Sequence, residues 1–149
     1  MGIKYVHTNI IARDWEAVAR FYIEVFECKP YGPERDLSGA WIEQMTGVEN
    51  VKVRGMHLSL PGYEAGPTLE IFSYEPEGEH QERHISKQGF GHLAFHVDNV
   101  EEVLKKVLAH GGKQYGEVII KEYETLGVLT AVYISDPEGN LIEVQNWSR

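Results

Sequence analysis

Residues 92–108, HLAFHVDNVEEVLKKVL, restate residues 7–23, HTNIIARDWEAVARFYI, at a constant offset of 85. His92 falls on His7, Asn99 on Asp14, Val100 on Trp15, Glu101 on Glu16, Val103 on Val18, Val107 on Tyr22 and Leu108 on Ile23. Both copies open on an apolar run that reads as a strand. Both then reach Asp14 or Asn99, good helix caps because their side-chain oxygens accept from the orphan amides of the first turn. After each cap, apolar residues return at helical spacing: Trp15, Val18, Tyr22 and Phe26 in the first copy, Val100, Val103, Val107 and Leu108 in the second. Gly111-Gly112 predicts a left-handed end for the second helix. The chain is therefore an imperfect repeat, and each half begins strand, short turn, amphipathic helix.

The halves also end alike. Val51–Leu60 and Pro67–Tyr74 are β-rich runs separated by the turn-like PGYEAG of residues 61–66. Val128–Ser135 and Leu141–Gln145 flank Asp136-Pro-Glu-Gly-Asn140, where a proline early in the turn and a later glycine predict a hairpin. Glu70 lies in TLEIF and Glu143 in LIEVQ, an offset of 73, twelve short of 85. The first half thus carries extra chain, placed at residues 31–50, where Ser38–Thr46 predicts a short helix. Glu75–Gln88 is polar, holds Pro76 and Gly78, and reads as a linker. The expected fold class is α+β: two βαβββ modules, residues 1–74 and 89–149, joined by linker 75–88 into a single domain 1–149.

Composition narrows the function classes. A length of 149 residues with 42% hydrophobic and 25% charged residues suits a soluble globular domain with a real core. The formal net charge of −9 argues against nucleic acid and against an anionic membrane as partner. A single cysteine, Cys28, excludes an intramolecular disulfide and fits a reducing compartment. It follows an apolar helical run, so a buried, inert thiol is expected rather than a nucleophile. The N-terminus lacks the apolar stretch of a signal peptide, and no run of about 18 apolar residues exists. A cytoplasmic location is expected.

Four residues break the apolar strands at corresponding places: His7 and Glu70, His92 and Glu143. Side chains alternate faces along a strand. Leu69 and Ile71 flank Glu70, and Ile142 and Val144 flank Glu143, so each carboxylate lies opposite a packed face. Leu93, Phe95 and Val97 are expected to face the helix, leaving His92, Ala94 and His96 on the other side. Read singly, each of the four is an ordinary surface or core residue; their recurrence at matching points of the repeat makes the joint case. A pseudo-twofold fold would bring the two faces together, and a divalent ion would remove the cost of burying unpaired carboxylates. Two imidazoles and two carboxylates suit Zn, Ni, Co, Fe or Mn.

His7-Thr-Asn-Ile-Ile through Phe21-Tyr22, Gly91-His-Leu-Ala-Phe-His-Val-Asp98 and Asp136-Pro-Glu-Gly-Asn-Leu-Ile-Glu143 together resemble the vicinal oxygen chelate superfamily. That superfamily includes glyoxalase I, methylmalonyl-CoA epimerase, extradiol dioxygenases and fosfomycin-resistance proteins. The resemblance implies paired βαβββ modules whose mixed sheets curl around a metal-binding cleft, with His7, Glu70, His92 and Glu143 as the metal ligands. It implies a small-molecule substrate with a carbonyl or vicinal oxygens, activated by the metal as Lewis acid. It also implies a homodimer, in some relatives with each site built from two chains.

Glu70 discriminates among the chemistries. An extradiol-type Fe(II) dioxygenase would use two histidines and one carboxylate, His7, His92 and Glu143, and leave Glu70 unexplained. Four ligands look closest to glyoxalase I, whereas the epimerases have an amide where Glu70 stands. The implied activity is a lyase or isomerase moving a proton next to a carbonyl, with Glu143 as the proton-moving carboxylate and Glu70 or Glu43 as its counterpart. The alternatives are an Fe(II) ring-cleaving oxygenase and a non-enzymatic binding or resistance protein. The insert at 31–50 departs from glyoxalase I and is read as a lid or pocket wall. Arg35 and Arg54 are read as surface charges rather than as glutathione contacts.

Other residues have weaker claims. His96 shares the face of His92, and His57, within Val53–Leu60, is a candidate for lining the pocket. His80 and His84 lie in the charged linker. His110 sits at a helix C-terminus, where partial protonation suits the dipole. Tyr5, Trp41 and Tyr133 are candidate aromatic walls that packing explains equally well.

Overall fold

The computed structural model describes residues 2–149, and the chain divides into two compact units between His80 and Gln81. That division falls within residues 75–88, the segment read as a linker. The first unit runs β1 (His7–Ile11), α1 (Trp15–Phe26), β2 (Lys29–Ser38), α2 (Ala40–Thr46), β3 (Lys52–Ser59) and β4 (Thr68–Glu75). The second runs β5 (His92–His96), α3 (Val100–Ala109), β6 (Lys113–Gln114), β7 (Ile119–Tyr123), β8 (Gly127–Ser135) and β9 (Leu141–Ser148). Each unit has its own mixed sheet. The orders are β1-β4-β3-β2 and β5-β9-β8-β6, with β7 also paired to β8. The first strand of each unit lies parallel to the last, and every other pair is antiparallel. The α+β class and the repeated βαβββ plan are what the strands display.

The two helix starts follow from their caps. Asp14 accepts from the Ala17 amide and Asn99 from the Glu102 amide, both at 3.1 Å. Such caps contribute about 1 kcal/mol each. The ends differ. Beyond α3, Gly111 has φ of +90°, while α1 stops on Glu27, a non-glycine residue at φ of 60° whose amide bonds the Tyr22 carbonyl. Among the described residues no helix is long and apolar enough to cross a membrane.

In the first unit α1 packs on β3 and β4. The Trp15 amide donates to Ser73 Oγ at 3.0 Å, which fixes α1 on the β4 face that carries Leu69, Ile71 and Ser73. Val18, Tyr22, Leu69 and Ile71 are at most 1% exposed there. Burial of each such side chain contributes about 1.5–3 kcal/mol. The opposite face of the same sheet holds a second apolar cluster, in which Ile42 of α2, Val51 and Val53 pack with Leu37, Val48, Phe72 and Tyr74.

The extra chain of the first half is located by the repeat offset. It is 85 between the starts of α1 and α3, 75 between β3 and β8, and 73 between β4 and β9. Most of the difference therefore accumulates between α1 and β3. The sequence predicts a loop and a short helix there; α2 is present, and Lys29–Ser38 is also strand. Pro30, Gly32 and Pro33 conceal it, and an edge strand tolerates them. Its pairing with β3 breaks between Tyr31 and Arg35, and the second unit is likewise interrupted in the matching place, between β6 and β7.

Gly55 in β3 sits directly across from Phe72, where a Cβ would overlap the Ile71 carbonyl oxygen and come within 2.6 Å of Phe72 Cδ1. A ladder carbonyl cannot step aside without breaking its pairing. Gly55→Ala is expected to lower stability by about 1–3 kcal/mol, as overpacking does. A lower urea midpoint for the variant checks this; an unchanged midpoint contradicts it.

Candidate metal centre

The register of β3 on β4 explains why polar groups collect on one face. Glu70 lies opposite His57, and Thr68 opposite Ser59. In the parallel pair, His7 lies beside Thr68 and Asn9 beside Glu70. Because side chains alternate, Asn9, His7, His57, Thr68 and Glu70 share the face that α1 does not cover. Further along that face, Val53, Phe72 and Tyr74 belong to the α2 cluster, so the insert walls one end of the polar patch.

The Glu70 carboxylate is the centre of this patch and its side chain is 12% exposed. Oε1 lies 3.2 Å from His7 Nε2 and accepts from Asn9 Nδ2 at 2.9 Å. Oε2 lies 2.7 Å from His57 Nε2, and His57 Nδ1 lies 2.9 Å from Thr68 Oγ1. The two imidazoles meet edge to face, with ring centroids 5.2 Å apart. Burial pushes the His57 pKa below the ordinary imidazole value; Arg35 and His7 add to this, against the opposing pull of Glu70. Arg35, read from sequence as a surface charge, is half-buried and paired with Gly55, on the same sheet face as His57.

In the second unit the corresponding register recurs. Glu143 lies opposite Tyr133 in β8 and beside Ala94 in β5, with His92 beside Leu141. His92 Nε2 stands 3.6 Å from Glu143 Oε1, and the His92 ring meets Tyr133 edge to face at 5.0 Å. Ile142 and Val144, flanking Glu143, are fully buried. The structure thus brings His7 to Glu70 in the first unit and His92 to Glu143 in the second. His96 is exposed, and Glu43 is half-buried on α2. Asp136 organises the turn before β9 by accepting from the Glu138 and Asn140 amides.

The donor set fits a divalent ion of borderline hardness. One ligand atom each from His7, His57 and Glu70 lies within 4.8 Å of the others. All are nitrogen or oxygen, as Zn, Ni, Co, Fe and Mn accept. The sole cysteine contributes nothing: Cys28 is 1% exposed, and burial pushes its thiol up to about 12. The folded protein is expected to leave Ellman's reagent unreacted until urea unfolds it. Rapid reaction of the native thiol would contradict this burial.

Comparison with known proteins decides the family. A family profile described as the Glyoxalase/Bleomycin resistance protein/Dioxygenase superfamily matches residues 4–144. The chain belongs to that superfamily. A glyoxalase family protein from Bacillus cereus superposes with a TM-score of 0.86 at 20% identity, covering 100% of this chain and 97% of the other. The fosfomycin resistance protein FosX from Listeria monocytogenes gives 0.61 at 17% identity, covering 100% and 93%. A glyoxalase I mutant from Zea mays gives 0.63 at 19% identity, covering 95% of this chain and 44% of the maize chain. These likenesses establish the glyoxalase-like fold. No curated protein sequence matches the chain. Within the superfamily are enzymes such as glyoxalase I and FosX, and a divalent metal is typical of its members.

Proposed function

We propose that this superfamily member is a divalent-metal enzyme of the lyase or isomerase type, moving a proton next to a carbonyl of a small molecule. The observation that carries the reading is the recurrence of a His–Glu pair at the same register position of both sheets, His7 with Glu70 and His92 with Glu143. These four residues are the proposed metal ligands. When bound, the ion supplies a Lewis acid that stabilises charge developing on substrate oxygens. The chain supplies the rest. Glu143, whose one polar side-chain contact among the described residues is the His92 ring, is the carboxylate that takes and returns the proton. Phe72 and Tyr74, packed with Ile42 of α2, give the first unit's ligand face an apolar margin suited to excluding water. A homodimer in the cytoplasm is the assembly and location this reading expects.

A second reading has a specific observation behind it. His7, His57 and Glu70 are two histidines and a carboxylate, the set used by Fe(II) oxygenases. Against it, a histidine ligand must present a bare nitrogen, whereas His57 Nε2 faces a carboxylate oxygen at 2.7 Å and has to carry hydrogen there. The test is protein purified without chelator, assayed in D₂O for exchange of the α-proton of hydroxyketones and of methylglyoxal–thiol hemithioacetals. Metal-dependent exchange without oxygen supports the proposal. Turnover of catechols requiring Fe(II) and O₂ replaces it with the oxygenase. Metal-replete protein inert in both assays leaves a binding protein on this fold.

A further inference from the structure

The repeat is symmetric in its proposed ligands and asymmetric in what supports them. Around Glu70 stand Asn9, His57 and Thr68; at the same register positions around Glu143 stand Ala94, Tyr133 and Leu141. Among the described residues, none of these three makes a hydrogen bond to the Glu143 carboxylate. The Glu70 carboxylate is pinned through both oxygens, and Glu143 through neither of these routes.

The direction of the first unit's chain of hydrogen bonds follows from what each atom can do. An ionised carboxylate only accepts, so the 2.7 Å contact at Oε2 requires His57 Nε2 to be the donor. On the other side of the ring, Nδ1 lies 2.9 Å from Thr68 Oγ1, so the imidazole is held at both nitrogens. Thr68 is itself buried and held by its amide on the Val6 carbonyl at 3.0 Å. Oε2 thus takes the His57 donor, while Oε1 accepts from Asn9 at 2.9 Å and, 3.2 Å from His7 Nε2, is the oxygen on the side of the proposed ligand histidine.

We infer that His57, oriented by Thr68, is a positioning residue that fixes Glu70 as a one-oxygen metal ligand through Oε1 and is not itself a ligand. The inference rests on the proposal that Glu70 binds the ion. It makes Glu70 a carboxylate held in place through both of its oxygens. Partners of this outer kind set ligand orientation, and their loss typically costs about 10–100-fold in metal affinity.

The experiment uses Co(II) alone as probe, with affinity read by competition against a chromophoric chelator and coordination read from the visible absorption bands. His57→Ala is expected to bind Co(II) about 10–100-fold more weakly with the band positions of the wild type. His57→Gln, whose amide nitrogen can reach the same oxygen, is expected to recover most of that loss. Thr68→Val, which keeps the shape and removes the hydroxyl, is expected to weaken binding in the same direction. Circular dichroism of each variant separates misfolding from lost support, and the His57→Gln and Thr68→Val proteins carry the test if His57→Ala fails to fold. Wild-type affinity in His57→Ala overturns the inference. So does a shift of the bands in both His57 variants without recovery by glutamine, which would make His57 a ligand. A wild-type protein that takes up no Co(II) overturns instead the metal reading on which the inference stands.

Discussion

Glu143→Gln, assayed at saturating metal, is expected to lower α-proton exchange by about 10²–10⁴-fold, the usual contribution of a positioned general base. The amide keeps the size of the side chain and an oxygen for the metal but cannot accept a proton at neutral pH. Flanked by fully buried Ile142 and Val144, the substituted residue has no alternative rotamer on the core side, so the fold is expected to persist. The decisive comparison is between metal content and rate. Exchange at the wild-type rate in metal-loaded Glu143→Gln would remove Glu143 from proton transfer.

Glu70→Gln is expected to act the other way round, first on the metal. Its amide loses the negative charge that two imidazoles face, at 3.2 Å for His7 and 2.7 Å for His57. It also brings an NH₂ group into a pocket where Asn9 and His57 already donate. One of those donors then meets a donor, which costs about 1–3 kcal/mol in a partly buried place. The loss in metal affinity is expected to exceed the ~10–100-fold that outer-shell changes cause. Chelator competition on the two variants side by side reads this directly. Equal, small losses in both would contradict the division of labour between the glutamates.

The parts of this molecule legible from sequence are those that repeat. Asp14 and Asn99 announce their helices because a cap acts through its own side chain, within three residues, and needs no tertiary context. His7, Glu70, His92 and Glu143 are found because the same interruption of an apolar strand occurs twice. His57 is different. Its equivalent in the second unit is Tyr133, so no offset comparison can reveal it, and its contact with Glu70 exists only through antiparallel register. His57 stands among strand residues as one candidate for lining a pocket until that register is known. Asn9 is hidden for the same reason, since its equivalent in the second unit is Ala94. Strand β2 escapes notice because its prolines and glycine suppress the local β signal, and only its edge position makes them tolerable. Glu27 ends α1 in a left-handed conformation that glycine normally signals, so nothing local marks that end.

The central claim is that His92 and Glu143 are metal ligands, as His7 and Glu70 are proposed to be. The most direct test measures metal content, by mass spectrometry of protein purified without chelator, in the wild type and in the double variant His92→Ala/Glu143→Ala. Near one divalent ion per wild-type chain, and almost none in the double variant, is the predicted result. Retention of a full complement by the double variant would contradict it, since His7, His57 and Glu70 would then suffice alone.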